Sequence, residues 1–469
     1  MKKKLENVEV IDMAATGKAV AKIDGRVIFI DKAVPGDRVD VRITRNKKQF
    51  QEGVVTDYLA LSDARTEAPC LHFGTCGGCK WQNIQYAEQL KYKEKQVRDN
   101  LERIGKVELP DIQPILPSEK TFDFRNKLEF TFSNRKWLTR EQIDSGEELD
   151  RTGLGFHMPG HFDKVVDVEQ CHLLDKSNAI RNRARELARE LKIEFYDLLD
   201  RKGMLRTMVM RTTSTGGIMI ILQVALPETK VVEELMSKLC EEIPEITSMY
   251  YVVNQKQNDD FSDQEMIHFS GEKFITETMK RPDGNGEIDF RISPKSFFQT
   301  NSQQAEHLYR LVWDLAKLGG NELVYDLYTG TGTIACYVAP GAREVIGIEY
   351  VEDAVKDAHL NADLNGFGHL HFYAGDMKDI LSDELIAKHG KPDLVITDPP
   401  RAGMHKDVCT QLLRLNSRKI IYISCNPATQ ARDIELLSER YRVTVVQPVD
   451  MFPHTPHVEN IVVLENDGE

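Results

Sequence analysis

Residues 326–335 read DLYTGTGTIA and decide the architecture of the carboxyl-terminal part of the chain. A strand-forming run leads into this turn, and Gly330, Gly332 and Ala335 follow in the G-x-G-x-x-A spacing. Glycines at this spacing let a strand turn sharply into a helix whose amino end faces a ligand. The stretch therefore predicts the first strand–turn–helix of a Rossmann-like sheet, with Glu349 at the end of the next strand placed to hold ribose hydroxyls. The motif alone fits a nicotinamide or an S-adenosylmethionine enzyme.

The pattern around this turn predicts three domains. From about residue 300 strands and helices alternate, which indicates a doubly wound, mostly parallel α/β sheet over 296–469. Residues 1–60 contain short strands punctuated by Gly and Pro, which predict a small β-barrel such as the five-stranded oligonucleotide-binding type. A small structural β-domain is the alternative. The mixed pattern over 61–295 predicts a central α+β domain, with helix 86–105 a candidate to pack on the catalytic domain.

Composition limits the function classes. The net charge of −13 argues against a protein that coats nucleic acid indiscriminately, although short basic runs such as VRITRNKKQF leave room for a local basic face. No apolar run approaches the roughly 18 residues that a membrane span needs, and no apolar signal core follows the initial MKKK. We therefore expect a cytoplasmic protein with no membrane partner.

A cysteine stands at the end of another strand. Residues 420–428 read IIYISCNPA, and the preceding strand ends in DPPRAG, residues 398–403. Carboxyl ends of parallel strands share one edge of a sheet, so we expect Cys425, Asp398 and the glycine turn to converge on one cleft. Hydride transfer does not need a thiol there, but methyl transfer to a pyrimidine does, because a thiolate added to carbon-6 activates carbon-5. The alternative for Cys425 is a buried small apolar residue.

This chemistry also needs a base that removes the carbon-5 proton. Three residues of MFPHTPHVEN qualify, namely His454, His457 and Glu459. Spacing leaves the choice among them open, and a surface salt bridge is the alternative role for Glu459.

Four further cysteines are spaced as metal ligands. Cys70, Cys76 and Cys79 are separated by five and two residues, and Cys171 in VEQCHLL is the expected fourth ligand. Four thiolates suit Zn²⁺ or an iron–sulfur cluster, and the spacing leaves the metal open.

Taken together, SFFQTN (296–301), DLYTGTGT, DPPRAG, SCNP and HVEN resemble the RNA (uracil-5-)-methyltransferase family, in the family's order and across almost the whole chain. The resemblance implies Cys425 as nucleophile and Glu459 as the proton-abstracting base. The S-adenosylmethionine site that it implies consists of Gln299, Tyr328, Gly330, Gly332, Thr333, Glu349, Asp376 and Asp398, with Phe297 and Asp398 against the uracil. Thr333 stands where relatives often carry Asn.

The resemblance also implies an amino-terminal TRAM domain and a 4Fe-4S cluster on Cys70, Cys76, Cys79 and Cys171, with zinc as the alternative metal. Family members with both features typically modify 23S ribosomal RNA, whereas the tRNA branch usually lacks both. We therefore expect a monomeric 23S rRNA enzyme that does not act on DNA. The alternatives are a tRNA uridine-5 methyltransferase and an RNA-binding iron–sulfur redox sensor without turnover.

Two properties of the expected substrate can be assigned to residues. An ionised Asp398 would accept a hydrogen bond from the ring nitrogen 3 of uracil, whereas cytosine has an acceptor there. Carbon-5 is hidden in stacked RNA, so the base must be single-stranded or flipped out, and Phe297 or Phe298 could stack on it.

Overall fold

A computed structural model describes residues 3–466 of the chain, which divides into two compact units. The first unit comprises the chain up to residue 74, residues 78–121 and the chain from residue 394 onward, and the second comprises 75–77 and 122–393. Within residues 3–466, no helix has both the length and the apolar character needed to cross a membrane. The three-domain division expected from the sequence stays a prediction.

The strands, in chain order, are β1 (Lys4–Glu9), β2 (Asp12–Met13), β3 (Ala19–Ile23), β4 (Arg26–Asp31), β5 (Arg38–Asn46), β6 (Phe50–Ala60), β7 (Lys127–Ser133), β8 (Gly153–Met158), β9 (His161–Asp167), β10 (Leu205–Thr212), β11 (Ile218–Val224), β12 (Ser248–Val253), β13 (Ile267–Gly271), β14 (Ile275–Lys280), β15 (Glu287–Ile292), β16 (Leu323–Leu327), β17 (Glu344–Glu349), β18 (Leu370–Ala374), β19 (Leu394–Thr397), β20 (Lys419–Ser424), β21 (Tyr441–Val449) and β22 (Glu459–Asn466). The α-helices are α1 (Tyr86–Asn100), α2 (Arg140–Asp144), α3 (Ser177–Glu190), α4 (Lys230–Glu242), α5 (Ser302–Ala316), α6 (Thr333–Val338), α7 (Glu352–Leu364), α8 (Met377–Ile380), α9 (Asp383–His389), α10 (Lys406–Leu415) and α11 (Pro427–Leu437).

The amino-terminal strands of the first unit form a six-stranded sheet in the order β1-β5-β6-β4-β3-β2. Its pairs are antiparallel except for β4 and β6, which run parallel. Alternate residues face the core, as Val39, Val41 and Ile43 of β5 do. The predicted β domain is therefore confirmed, with six strands in place of the expected five.

Helix α1 continues into a π-helical turn that ends at the residue predicted from the sequence. The α-helix stops at Asn100, a π-helical turn spans Leu101–Gly105, and Lys106 takes the left-handed conformation with a φ of 51°. A Cβ on Gly105 would lie 3.4 Å from the carbonyl oxygen of Ala431 in α11. Gly105 is thus the last helical residue, and the predicted helix over 86–105 is confirmed, with the left-handed cap at Lys106.

The second unit contains the predicted central α+β layer. Its seven-stranded sheet has the order β13-β12-β11-β10-β7-β8-β9, in which β11 and β12 are the parallel pair. The runs LRTMVMRT and IMIILQV of β10 and β11 are buried along their whole length, which explains why they lack polar alternation. Helices α3 and α4 lie together and bury their apolar faces.

The glycine turn of the second unit follows β16, a strand in a group of parallel strands. β16 pairs with β17 and β17 with β18, all parallel, and α6 and α7 follow β16 and β17 in the chain. All five residues of β16 are buried. This is the strand–helix alternation that the sequence predicted.

The carboxyl-terminal strands of the first unit depart from a parallel arrangement. β19 and β20 are parallel, but β22 runs antiparallel to both β20 and β21 and lies between them. The register places Asn460 opposite Ser424, and Glu459 opposite Val449. The strand order brings the first residue of β22 next to the end of β20.

Candidate active site

The glycine turn of the second unit has a backbone that requires glycine at one position. Gly330 and Gly332 have φ angles of 57° and 77°. A Cβ on Gly332 would lie 3.0 Å from Ala358 and 3.1 Å from the ring of Phe372. A Cβ on Gly330 would meet nothing within 4 Å. The turn is therefore tightly packed on one side and open at Gly330, as a turn that receives a ligand must be. Tyr328 also has a positive φ of 62°, which is rare for an aromatic residue.

Glu349 is fixed beside the open side of this turn. Its carboxylate accepts hydrogen bonds from the backbone N–H of Gly330, at 3.1 Å, and of Val351, at 3.0 Å. Tyr350, between them in the chain, is 72% exposed. The ribose-binding role of Glu349 stays a prediction, and the position of its carboxylate is compatible with that role.

The SFFQTN segment is tied to neighbouring backbone in the same unit. Thr331 in the glycine turn donates its hydroxyl to the carbonyl oxygen of Phe297, at 3.3 Å. Asn126 donates its side-chain amide to the carbonyl oxygen of Gln299, at 2.8 Å. The structure therefore brings Phe297 and the glycine turn together.

The two adjacent phenylalanines have different environments. Phe297 is 66% exposed, whereas Phe298 is buried and its ring centroid lies 5.9 Å from that of Phe290. Of the two, Phe297 is the residue available for stacking on a base.

Two other predicted donor-site residues have partners within the protein. The hydroxyl of Thr333 lies 3.2 Å from the hydroxyl of Tyr309. Asp376 caps α8 by accepting from the N–H of Lys378 at 3.2 Å, and the same lysine's ammonium pairs with its carboxylate. These contacts position both side chains and leave their donor-binding roles as predictions.

Asp326, at the end of β16, is an acidic residue whose environment the sequence did not reveal. It is buried and accepts a hydrogen bond from the hydroxyl of Thr329. Burial raises its pKa to about 7, although Thr329 opposes the shift. The protonation state of Asp326, which leads into the glycine turn, is therefore sensitive to pH near neutrality.

In the first unit, Cys425 directly follows β20 and is partly exposed. Cys336 and Cys409, by contrast, are buried. The structure therefore does not seal the thiol of Cys425 in apolar packing, and the alternative of a small core residue does not apply to it.

The residues after Cys425 turn the chain into α11. The side-chain oxygen of Asn426 accepts from the N–H of Ala428 at 3.2 Å, and Pro427 occupies the first helical position. Asn is a preferred residue at an N-cap and Pro at the next position. SCNP is thus a strand end followed by a capped helix.

The DPPRAG loop is held in place by α11. Asn426 and Thr429 donate side-chain hydrogen bonds to the carbonyl oxygen of Arg401, at 2.9 and 3.2 Å. Gly403 has a φ of 75°, and a Cβ there would lie 2.6 Å from the carboxylate of Asp433. The loop therefore has one compact conformation, which fixes Arg401 beside the end of β20.

Three charged side chains of the first unit interact with Cys425. Burial raises the pKa of Cys425 to about 11, and the charges of Glu459 and Asp398 add to the rise. Arg401 opposes it through its charge and through a hydrogen bond to the thiol. Burial and then Asp398 raise the pKa of Glu459 well above its usual range, again opposed by Arg401. The thiol is therefore protonated at neutral pH, and the carboxylate is a better proton acceptor than an exposed one.

Sequence reasoning quoted Arg401 within DPPRAG but gave it no role. The available signal was a cation three residues after Asp398 in a loop at a strand end, where the predicted nucleophile needs a positive neighbour.

The structure distinguishes among the three candidate bases. Glu459 is 5% exposed and interacts electrostatically with Cys425. His454 is equally buried, its N–H donates to Gln89 at 2.8 Å, and burial together with Lys93 lowers its pKa to about 4. His454 therefore belongs to the packing of this region. His457 donates its backbone N–H to another residue of the same loop. Glu459 is the best placed of the three.

The four predicted metal ligands are divided between the two units. Cys70 and Cys79 belong to the first unit and Cys76 and Cys171 to the second. Within residues 3–466, no three His, Cys, Asp or Glu side chains are grouped so that they could hold a metal ion. The predicted four-thiolate cluster thus finds no support in this structure, and no step of the chemistry below depends on it.

Comparisons with known proteins agree with this fold. The family described as tRNA (uracil-5-)-methyltransferase matches residues 261–467, and the TRAM domain matches residues 4–56. An uncharacterized RNA methyltransferase of Bacteroides thetaiotaomicron is 51% identical over 97% of this chain and 100% of its own length. Another from Porphyromonas gingivalis is 49% identical over 98% of this chain and 100% of its own length.

A solved structure covers nearly the whole chain. The tRNA (uracil-54, C5)-methyltransferase of Pyrococcus abyssi, crystallised with S-adenosyl-L-homocysteine, is 29% identical, has a TM-score of 0.73, and covers 98% of this chain and 100% of its own. Fold and site therefore define a Rossmann-like methyltransferase with an amino-terminal TRAM domain. The chain belongs to the tRNA (uracil-5-)-methyltransferase family.

Proposed function

We propose that the protein transfers a methyl group from S-adenosylmethionine to carbon-5 of a uridine in structured RNA, through a covalent bond between Cys425 and the uracil. The observation that carries the proposal is the cluster at the end of β20, where Cys425 interacts with Arg401, Asp398 and Glu459. A thiol, a cation and a buried carboxylate are the groups that this chemistry requires.

In the first step the Cys425 thiol loses its proton to water, and the resulting thiolate sulfur bonds to carbon-6 of the uracil. Because burial and two carboxylates favour the protonated thiol, the thiolate needs a cationic partner, which Arg401 provides. Addition moves an electron pair onto the ring, and carbon-5 of the resulting enolate can then attack a methyl group.

S-adenosylmethionine supplies an electrophilic methyl group on a positively charged sulfur. The residues proposed to hold it are Gln299, Tyr328, Gly330, Gly332, Thr333, Glu349, Asp376 and Asp398. Two observations fit this role, namely the open space at Gly330 and the Glu349 carboxylate fixed beside it.

In the last step Glu459 removes the proton from carbon-5. The electron pair of that C–H bond restores the ring double bond, and the sulfur–carbon-6 bond breaks to release the Cys425 thiolate. A carboxylate whose pKa is raised by burial is a suitable acceptor for a weakly acidic proton.

Uracil would be selected by Asp398 and Phe297. The carboxylate of Asp398 accepts from nitrogen 3 of uracil, which cytosine cannot donate. The exposed ring of Phe297 stacks on the flipped base and offsets part of the unstacking cost of a few kcal/mol.

For the RNA, 23S ribosomal RNA is the first candidate, because the family resemblance associates the TRAM domain and the cluster together with that substrate. Transfer RNA is the second, and it is favoured by the similarity to the tRNA (uracil-54, C5)-methyltransferase of Pyrococcus abyssi. A 4Fe-4S cluster on Cys70, Cys76, Cys79 and Cys171 belongs to the same proposal and is supported by the family resemblance, since the cysteine spacing leaves the metal open. A monomeric state and a cytoplasmic location also stay predictions.

The function is tested with labelled methyl donor and two substrates, 23S rRNA and total tRNA from a strain lacking this gene. Labelled 5-methyluridine is expected with wild-type protein and none with Cys425→Ala, which should still bind donor. Label in 5-methylcytidine, or unchanged methylation by Cys425→Ala, would contradict the mechanism. Anaerobic purification tests the cluster, since a colourless protein with stoichiometric zinc excludes iron and sulfur. A redox sensor would keep its response to RNA in Cys425→Ala.

A further inference from the structure

The connection between β21 and β22 leads directly to Glu459. We call residues 450–458 the base loop. Strand pairing opens at Val449, opposite Glu459, and the base loop between them is irregular. A two-residue turn would fix the register of a hairpin by itself, but a connection of this length does not. Pairing with β20 and β21 sets the register of β22, and the base loop acts on Glu459 as the first residue of that strand, where the pairing ends.

One buried face of α1 is polar. Gln89 and Lys93, one turn apart, are both fully buried together with Val97. The ammonium of Lys93 lies 2.6 Å from the carboxylate of Asp450, the first residue of the base loop, and both side chains are 0% exposed. Burying an ion pair costs more free energy than burying apolar side chains of the same size. Stability alone is therefore a weak explanation for this pair.

The Lys93–Asp450 pair binds the backbone at the start of the base loop. Lys93 also donates to the carbonyl oxygen of Phe452, at 2.9 Å, and Asp450 accepts from the N–H of Phe452, at 3.0 Å. The second oxygen of Asp450 accepts from the hydroxyl of Tyr86, at 2.8 Å. The N–H and the carbonyl oxygen of Phe452 are thus both bound by the Lys93–Asp450 ion pair.

His454, in the middle of the base loop, is held by hydrogen bonds on both of its backbone polar groups. His454 has a φ of 64°, a conformation that a residue with a side chain keeps only when its surroundings impose it. Its N–H donates to the side-chain oxygen of Gln89, at 2.8 Å. Its carbonyl oxygen accepts from the N–H groups of Lys80 and Trp81, at 2.9 and 3.0 Å.

We infer that Lys93 and Gln89 are positioning residues for Glu459, because they fix the base loop whose end places the Glu459 carboxylate beside Cys425. The inference rests on the proposed function, in which Glu459 removes the carbon-5 proton. Neither residue touches the substrate. Their effect is expected on the step that needs Glu459 and not on the step that needs Cys425 alone.

A structural role and a positioning role predict different results. Loss of stability lowers the amount of active protein and affects all steps equally. A displaced Glu459 slows only the release of the Cys425–uracil bond, so that a covalent protein–RNA complex accumulates on ordinary uridine RNA. This complex is measured on a denaturing gel with labelled RNA.

The experiment uses the double variant Lys93→Met/Asp450→Leu, in which apolar side chains replace the ion pair and no buried charge is left alone. We expect complex formation at least as fast as in wild type, at least tenfold slower release, and unchanged affinity for S-adenosylhomocysteine. Lys91→Met, on the exposed face of α1, is the matched control and should behave as wild type. Tyr86→Phe removes one hydroxyl and should slow release at least twofold, which keeps the test decisive if the double variant does not fold.

Glu459→Gln is the reference that separates the two claims. If Glu459→Gln traps the complex while the double variant and Tyr86→Phe release it at the wild-type rate, the positioning role is wrong and the function stands. If neither wild-type protein nor Glu459→Gln forms a covalent complex with RNA, the proposed function itself fails.

Discussion

The side-chain amide of Asn426 donates a hydrogen bond of 2.9 Å to the carbonyl oxygen of Arg401, so the residue after the proposed nucleophile holds the loop that carries its cation. Asn426→Ser keeps a capping hydroxyl for α11 but loses this bond. We expect the free energy of unfolding to change by less than about 0.5 kcal/mol, since Asn and Ser cap almost equally well. Formation of the covalent RNA complex should be several-fold slower, measured by rapid quench.

Asn426→Ala is the companion variant. It loses the cap as well and should be about 1 kcal/mol less stable, measured by urea unfolding. Complex formation in the serine variant at the wild-type rate would show that the loop does not need this bond.

Arg401→Gln should raise the pKa of Cys425 further, because it removes the group that opposes burial and the two carboxylates. The wild-type pKa of about 11 means that alkylation of Cys425 by iodoacetamide rises about tenfold per pH unit from pH 7 to pH 10. In Arg401→Gln the same profile should move to higher pH, followed by mass spectrometry of the Cys425 peptide. Arg343→Gln, on an exposed arginine of the second unit, should leave the profile unchanged.

Glu349→Gln tests the donor site without touching the thiol. Its carboxylate accepts from two backbone N–H groups and is proposed to accept from ribose hydroxyls. Replacing an ionised acceptor weakens such bonds by about 1.5–3 kcal/mol, so S-adenosylhomocysteine should bind roughly 10- to 100-fold more weakly by calorimetry. Glu352→Gln, on an exposed neighbour, should bind normally, and equal affinity in both variants would exclude Glu349 from the site.

Asp326 should make the protein less stable as the pH rises. Its pKa is about 7 in the folded chain and near 3.8 when unfolded, so between these values the folded state holds a proton that the unfolded state has lost. The contribution of Asp326 to the free energy of unfolding is therefore fully present below about pH 4. It is lost progressively toward pH 7, by as much as roughly 4 kcal/mol. Asp326→Asn cannot titrate. The difference in melting temperature between wild type and this variant should change across pH 4–7, and a constant difference would contradict the assignment.

Local patterns predicted much of this fold. The alternation of apolar and polar residues predicted the amino-terminal β domain. The DLYTGTGT motif predicted β16, α6 and the glycine turn between them, where Gly330 and Gly332 have positive φ angles. These features depend on residues near one another in the chain.

What the sequence did not reveal depends on partners far apart in the chain. Glu459 lies near Cys425 because β22 lies between β20 and β21. Strand order of this kind cannot be read from the periodicity of the sequence. The burial of Lys93 was equally hidden, because α1 has a polar residue where packing usually selects an apolar one. The π-helical form of the last turn, Leu101–Gly105, was also not visible in the sequence.

The position of β22 has a consequence for synthesis on the ribosome. β20 and β21 leave the ribosome before the strand that joins them, so each presents a row of unpaired backbone amides and carbonyls until β22 emerges and inserts. Such edges recruit other strands, and a nascent chain is most vulnerable to aggregation in this interval. Chaperone dependence should therefore be greatest while residues 450–466 are being made.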